Sequence, residues 1–145
     1  MRRGTDYLIL TNNPLAVQCM EEWYSIDYLE EGSYRDVLVR VRDLVYAGHT
    51  LFTHPLAGSV KPNETPYRSV VVSRAPHAFS AEQAEIVSNS LTAFDKFPKK
   101  DRQWSERVLS DFQLVDYTLL AGAMDFDAAA GLDKARNKIP DKNKK

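Results

Sequence analysis

Between His49 and Ser69 the chain reads H-T-L-F-T-H-P-L-A-G-S-V-K-P-N-E-T-P-Y-R-S. Ser59, Lys61, Asn63, Glu64, Thr65 and Arg68 make this the densest gathering of polar groups that could hold a ligand. Pro55, Gly58, Pro62 and Pro66 exclude helix or strand, and the prolines restrict the unliganded loop, which lowers the entropic cost of holding those groups in place. Lys61 could neutralise an anion, and Asn63 could hydrogen-bond a ligand or close a local turn. A second polar group, Asn12-Asn13-Pro14, ends the apolar run Tyr7–Thr11. Asn13 has the chemistry of an N-cap and Pro14 that of a first helical residue, so unpaired N–H groups there would favour an anion. Asn13 could equally be a plain cap. The glycine spacing of a phosphate-cradling loop or a dinucleotide fingerprint is absent.

The remaining reactive side chains form no complete catalytic set. His54 opens the loop, and an imidazole there could act as a general base, but no nucleophile accompanies it. His49 and His77 stand outside metal-ligand spacings, and neither a metal nor another cofactor is expected. Cys19 falls on an inward helix face, where a cysteine behaves as a small inert hydrophobe. Glu30-Glu31 reads as a solvated pair, with cation binding the alternative. These residues favour a binding role over an enzymatic one. The ligand-binding candidates are Asn12, Asn13, His54, Gly58, Ser59, Lys61, Asn63, Glu64 and Arg74.

The elements that must position these residues are legible from pattern. Tyr7–Thr11 reads as a strand buried on both faces. A short helix Pro14–Glu22 follows, then a strand Ser25–Leu29. Ser33 with Asp36 caps a helix whose Val37, Leu38, Val41, Leu44 and Val45 form one stripe, and Gly48 closes it. His49–Thr53 and Ser69–Ser73 are strands three and four, separated by the loop. Ser80 with Gln83 starts a helix that Pro98 stops. Ser105–Ala121 carries Val108, Leu109, Phe112, Val115, Leu119 and Leu120, an apolar stripe that packs on the sheet or makes a homodimer.

Alternating strands and helices predict an α/β fold of three layers, a small, mostly parallel four-stranded sheet flanked by helices. No helix pattern joins strands three and four, so that pair could also run antiparallel. In an open parallel sheet ligands sit beyond the carboxyl ends of the strands, which puts Asn12, Asn13, Glu30, Glu31, His54 and Arg74 on one rim.

One domain over residues 1–124 and a flexible Lys-rich tail over 125–145 are expected from 145 residues. The net charge of −1 hides an asymmetry, with 13 basic against 19 acidic residues in 1–133 and six against one in Lys134–Lys145. Such short charged ends are usually solvated, so nucleic acid is not an expected partner. No apolar run approaches the ~18 residues of a membrane span. The single cysteine allows no intrachain disulfide, which agrees with a cytoplasmic location.

Leu8–Leu15, Glu31–Val37 and Gly48–Ser69 together resemble the GrdX family, most specifically through T-H-P-L-A-G-S-V-K-P-N-E-T-P-Y at Thr53–Tyr67. The resemblance covers about residues 7–120, weakens after Ser80 and does not reach the Lys-rich end. Genes of this family accompany those of the glycine, sarcosine and betaine reductases of amino-acid-fermenting anaerobes. The resemblance therefore implies an accessory protein that binds a reductase component or assists its assembly. It marks Asn12, Asn13, Pro14, Gly58, Ser59, Lys61, Pro62, Asn63 and Glu64 as motif positions and supplies no catalytic residue. A different reading is a small-molecule site, enzymatic or not, for an anionic ligand or nucleotide at the Asn13 helix start and the Thr53–Tyr67 loop.

Overall fold

The computed structural model describes residues 4–56, 61, 64–98 and 103–138. In chain order the elements are β1 (Gly4–Thr11), α1 (Pro14–Met20), β2 (Tyr24–Tyr28), α2 (Tyr34–Tyr46), β3 (His49–Leu51), β4 (Ser69–Pro76), α3 (Ala81–Lys96), α4 (Glu106–Ala123) and α5 (Ala128–Lys138). The sheet order is β2-β1-β4-β3. Helices cover both faces, so the predicted α/β layering is what the chain builds.

The apolar run of β1 shows why. Ile9 packs with Val71 beneath α1, α4 and α5, where Ala16, Met20, Tyr117 and Leu120 are buried. Leu10, one residue on, packs with Val70 and Val72 against Val37, Val41 and Val45 of α2 and Val87 of α3. Successive side chains of a strand point to opposite faces, so a central strand with a core on each side needs unbroken hydrophobicity. Each such side chain, fully buried, contributes roughly 1.5–3 kcal/mol.

Strand direction departs from expectation. Only β1 and β2 are parallel; β4 runs antiparallel to both β1 and β3. A parallel return requires a crossover of about a dozen residues, usually helical. Asn12–Trp23 supplies one around α1, whereas among the described residues between β3 and β4 no such helix appears, which fits an antiparallel return. At one rim the carboxyl ends of β1, β2 and β3 therefore meet the amino end of β4.

Local signals set most boundaries. The Ser33 side chain accepts from Asp36 N while the Asp36 carboxylate accepts from Ser33 N, a complete capping box on α2. Gly48 follows α2 with φ of 106°, and a side chain there would strike the His77 carbonyl. In α3 the Ser80 cap forms, but the Gln83 side chain accepts from Leu51 N at 2.8 Å instead of reaching back, which ties α3 to β3.

Two other expectations move. On α4 the buried side chains are Asp116, Tyr117, Leu120 and Ala121. Val108, Val115 and Leu119 of the expected stripe are 36–42% exposed. Hydrogen bonding at Asp116 rotates the helix to this face. The segment expected as a flexible tail from residue 125 contains α5, which docks on α1 with Ala135 buried. Gly131 makes that approach possible, since a Cβ there would meet the Tyr117 hydroxyl, itself donating to the Ala128 carbonyl at 2.7 Å.

Candidate functional site

The rim where β1 ends and β4 begins is held by side chains beyond the last backbone pair, Thr11 with Ser69. Asn12 donates from Nδ2 to the carbonyls of Gly32 at 3.1 Å and Pro66 at 2.8 Å, and its Oδ1 accepts from Arg68 N at 2.9 Å. One amide thus clamps the turn before α2 to the end of the long loop. Asn13 caps α1 through Oδ1, which accepts from Leu15 N at 3.0 Å. Its Nδ2 donates to the Gln113 carbonyl and to Asp116 Oδ2, both at 2.9 Å. The two asparagines face opposite ways along the rim and organise two different surroundings.

Around Asn13 the surroundings are closed. Asp116 is 5% exposed, and its Oδ2 also accepts from the Ser69 hydroxyl at 2.6 Å. Ser69 Oγ lies 2.6 Å from Thr11 Oγ1, which accepts from Asn13 N at 2.9 Å. Burial pushes the Asp116 carboxyl above the usual carboxylate range, opposed by the hydrogen bonds from Ser69 and Asn13 and by the Arg68 charge. Arg68 is buried and donates to the His54 carbonyl at 2.6 Å. A cavity of about 120 Å³ between Thr53, Arg68, Ser69, Asp116 and Leu119 reaches this group.

Around Asn12 the surroundings are open. A cavity of about 560 Å³ lies between the α2 start, the end of the long loop and the segment joining α3 to α4. Its aromatic walls are Tyr34, Tyr67, Phe94, Phe97 and Trp104. Tyr34 stacks on Phe94 with centroids 5.2 Å apart, and Trp104 meets Phe112 edge to face at 5.6 Å. Glu30 and Glu31 stand exposed at the edge. Arg35 and Asp95 also line the cavity and form a two-bonded pair at 2.9 and 3.1 Å. Burial raises the phenol pKa of Tyr34. The Tyr67 hydroxyl accepts from Gln113 Nε2 at 2.9 Å and so ties the cavity wall to α4. The volume falls within the ~300–1,000 Å³ range of small-molecule sites.

The sequence-derived candidates divide between these places. Asn12 lines the large cavity and Asn13 lies in the closed network. His54 contributes its carbonyl to Arg68, while its Nδ1 accepts from Leu56 N at 3.0 Å. Lys61 is exposed and Glu64 half-buried, with Glu64 N donating to the Lys61 carbonyl at 2.9 Å. Gly58, Ser59 and Asn63 lie outside the described residues. Arg74 does not share the rim: because β4 is antiparallel, Ser69 pairs with Thr11 and Arg74 is carried to the far end of the sheet. Among the described residues no group of three or more His, Cys, Asp or Glu is placed to hold a metal ion. No helix among them is long and apolar enough to cross a membrane.

Sequence reasoning passed over Asp116, Gln113 and Trp104. A signal existed for the first two, since Gln113, Asp116, Tyr117 and Leu120 recur at helical spacing and polar residues on such a face need buried partners. Trp104 lies before a helix cap and carries no comparable signal.

A family model described as GrdX-like protein matches residues 8–125, which include both surroundings of the rim. No curated protein and no solved structure matches the chain.

Proposed function

Because the chain belongs to the GrdX-like protein family, we propose that it is a cytoplasmic, non-catalytic accessory protein of a glycine, sarcosine or betaine reductase system, binding a reductase component or assisting its assembly. The observation that carries this reading is the outer side of α4. Val108, Val115 and Leu119 share that side and are 36–42% exposed, an apolar surface of the kind that marks a protein partner. Co-purification from cells making the reductase tests the reading. A reductase subunit should enrich with the full chain and be lost with Val115→Glu and Leu119→Glu. No enrichment over a control bait ends the proposal, and capture of a second copy instead would identify a homodimer.

A second reading is favoured by the large cavity: a small-molecule site, enzymatic or not, walled by Asn12 and the Thr65–Tyr67 end of the loop. An anionic ligand or nucleotide, suggested by Asn13 and Lys61, is one class to screen. A bound ligand raises the unfolding midpoint by mass action, so thermal shifts with small anions, cations and neutral compounds test this reading. No shift with any class at millimolar concentration would sink it.

A further inference from the structure

We propose that the large cavity selects an organic cation, an ammonium nitrogen carrying alkyl groups. This rests on the small-molecule reading of the same cavity and names its ligand class.

The groups facing the cavity are poorly suited to an anion. The α2 start would ordinarily offer unpaired N–H groups, but its own capping box takes two of them: Asp36 Oδ2 accepts from Ser33 N at 2.8 Å, and Ser33 Oγ accepts from Asp36 N at 3.1 Å. The Asp36 carboxylate adds negative charge at that helix end. Both Nδ2 hydrogens of Asn12 are given to Gly32 and Pro66 carbonyls. The Arg35 guanidinium is held by Asp95 through two hydrogen bonds, so its charge is balanced in place.

The same surroundings suit a cation with apolar substituents. Among the described lining residues Glu30, Glu31 and Asp95 oppose Arg35, an excess of two negative charges. Tyr34, Tyr67 and Trp104 add aromatic rings, whose faces carry negative quadrupole charge and attract ammonium groups. A small hydrated metal ion would gain little from such walls. An alkylated ammonium gains twice, from burial of its alkyl groups and from charge at the edge.

The test is a calorimetric titration of the full chain with choline, with 3,3-dimethylbutan-1-ol, its neutral carbon isostere, and with inorganic phosphate. Phosphate is the counter-probe because Lys99 and Lys100 follow Pro98 in the chain. Choline should saturate and bind roughly tenfold more tightly than the alcohol, which reports the charge alone. The double variant Glu30→Gln, Glu31→Gln alters only exposed side chains, and it should weaken choline several-fold while keeping the wild-type unfolding midpoint. Trp104→Leu should weaken choline further. If the alcohol binds as well as choline, or phosphate binds and choline does not, the cation assignment is overturned while the small-molecule reading stands. If none of the three binds at millimolar concentration, the cation assignment fails, and the broader ligand screen then decides the small-molecule reading.

Discussion

The two asparagines that follow β1 are neighbours in sequence and opposites in use. Asn13 enters a buried hydrogen-bonded network reached only by a small cavity: Asp116, Ser69 and Thr11 are all 5% exposed or less. Asn12 forms a wall of a cavity whose acidic groups at the edge are exposed and whose aromatic rings are mostly half-buried. Buried polar groups are costly unless satisfied, so the closed side can only be structural mortar or a tuned carboxyl group. The open side sacrifices little stability and keeps surface available for a ligand. One rim thus separates what holds the fold from what can bind.

If that division is right, substitutions on the closed side should cost stability first. The largest effect is expected for Asn13→Ala. The change removes the α1 cap and takes a donor from both Asp116 and the Gln113 carbonyl. Losing a cap costs about 0.5–2 kcal/mol, and a buried partner left unsatisfied costs about 1–3 kcal/mol, so a total of roughly 2–4 kcal/mol is expected by urea unfolding. A loss below ~0.5 kcal/mol would mean that the closed network does not hold α1 and α4 to the sheet.

Asp116→Asn sharpens the same side through pH. The folded Asp116 carboxyl is raised above its unfolded value of 3.8, so the folded state holds the proton more tightly. That contribution to stability is complete below the unfolded value and is lost as pH rises through the raised folded value. Wild type should therefore lose stability relative to Asp116→Asn across that window, while the asparagine oxygen can still accept from Ser69 and Asn13. Equilibrium unfolding of both proteins as a function of pH measures the difference, and a difference independent of pH would show that burial does not govern this carboxyl.

What was legible in the sequence follows the range of the interactions. The Ser33–Asp36 capping box lies within four residues, and Gly48 needs only its own dihedral, so both ends of α2 can be read locally. The run through Ile9 and Leu10 announces a strand with two buried faces because strand periodicity is local too. The direction of β4 is not local: it depends on pairing Ser69 with Thr11, 58 residues away. The buried face of α4 is equally remote, since Asp116 finds its partners on Asn13 and Ser69. An apolar stripe counted without them selects Val115 and Leu119, which remain exposed. The loop drew attention by composition, and its Thr65–Tyr67 end does line the cavity. The aromatic wall opposite comes from α3 and the segment before α4, which no single window of sequence brings together.

The link between the two sides is Tyr67, whose hydroxyl accepts from Gln113 on the helix that carries Asp116. Tyr67→Phe removes that bond and keeps the ring. A stability loss of about 0.5–1.5 kcal/mol is expected, the net value of one hydrogen bond, with the cavity still able to bind. A loss as large as that of Asn13→Ala would merge the two sides into one cooperative unit.

Arg35→Ala should have the smallest effect on stability and an informative effect on binding. Arg35 and Asp95 are each 45% exposed, and pairs so placed contribute little because water solvates both charges and side-chain ordering offsets their attraction. The unfolding midpoint should scarcely move. Among the described residues the cavity, however, loses its lining cation Arg35, so affinity for choline should rise and the gain should shrink with added salt. An unchanged affinity with an unchanged midpoint would place the ligand away from α2 and α3. A large fall in stability would instead make this ion pair part of the structural framework and erase the distinction between the closed and open sides of the rim.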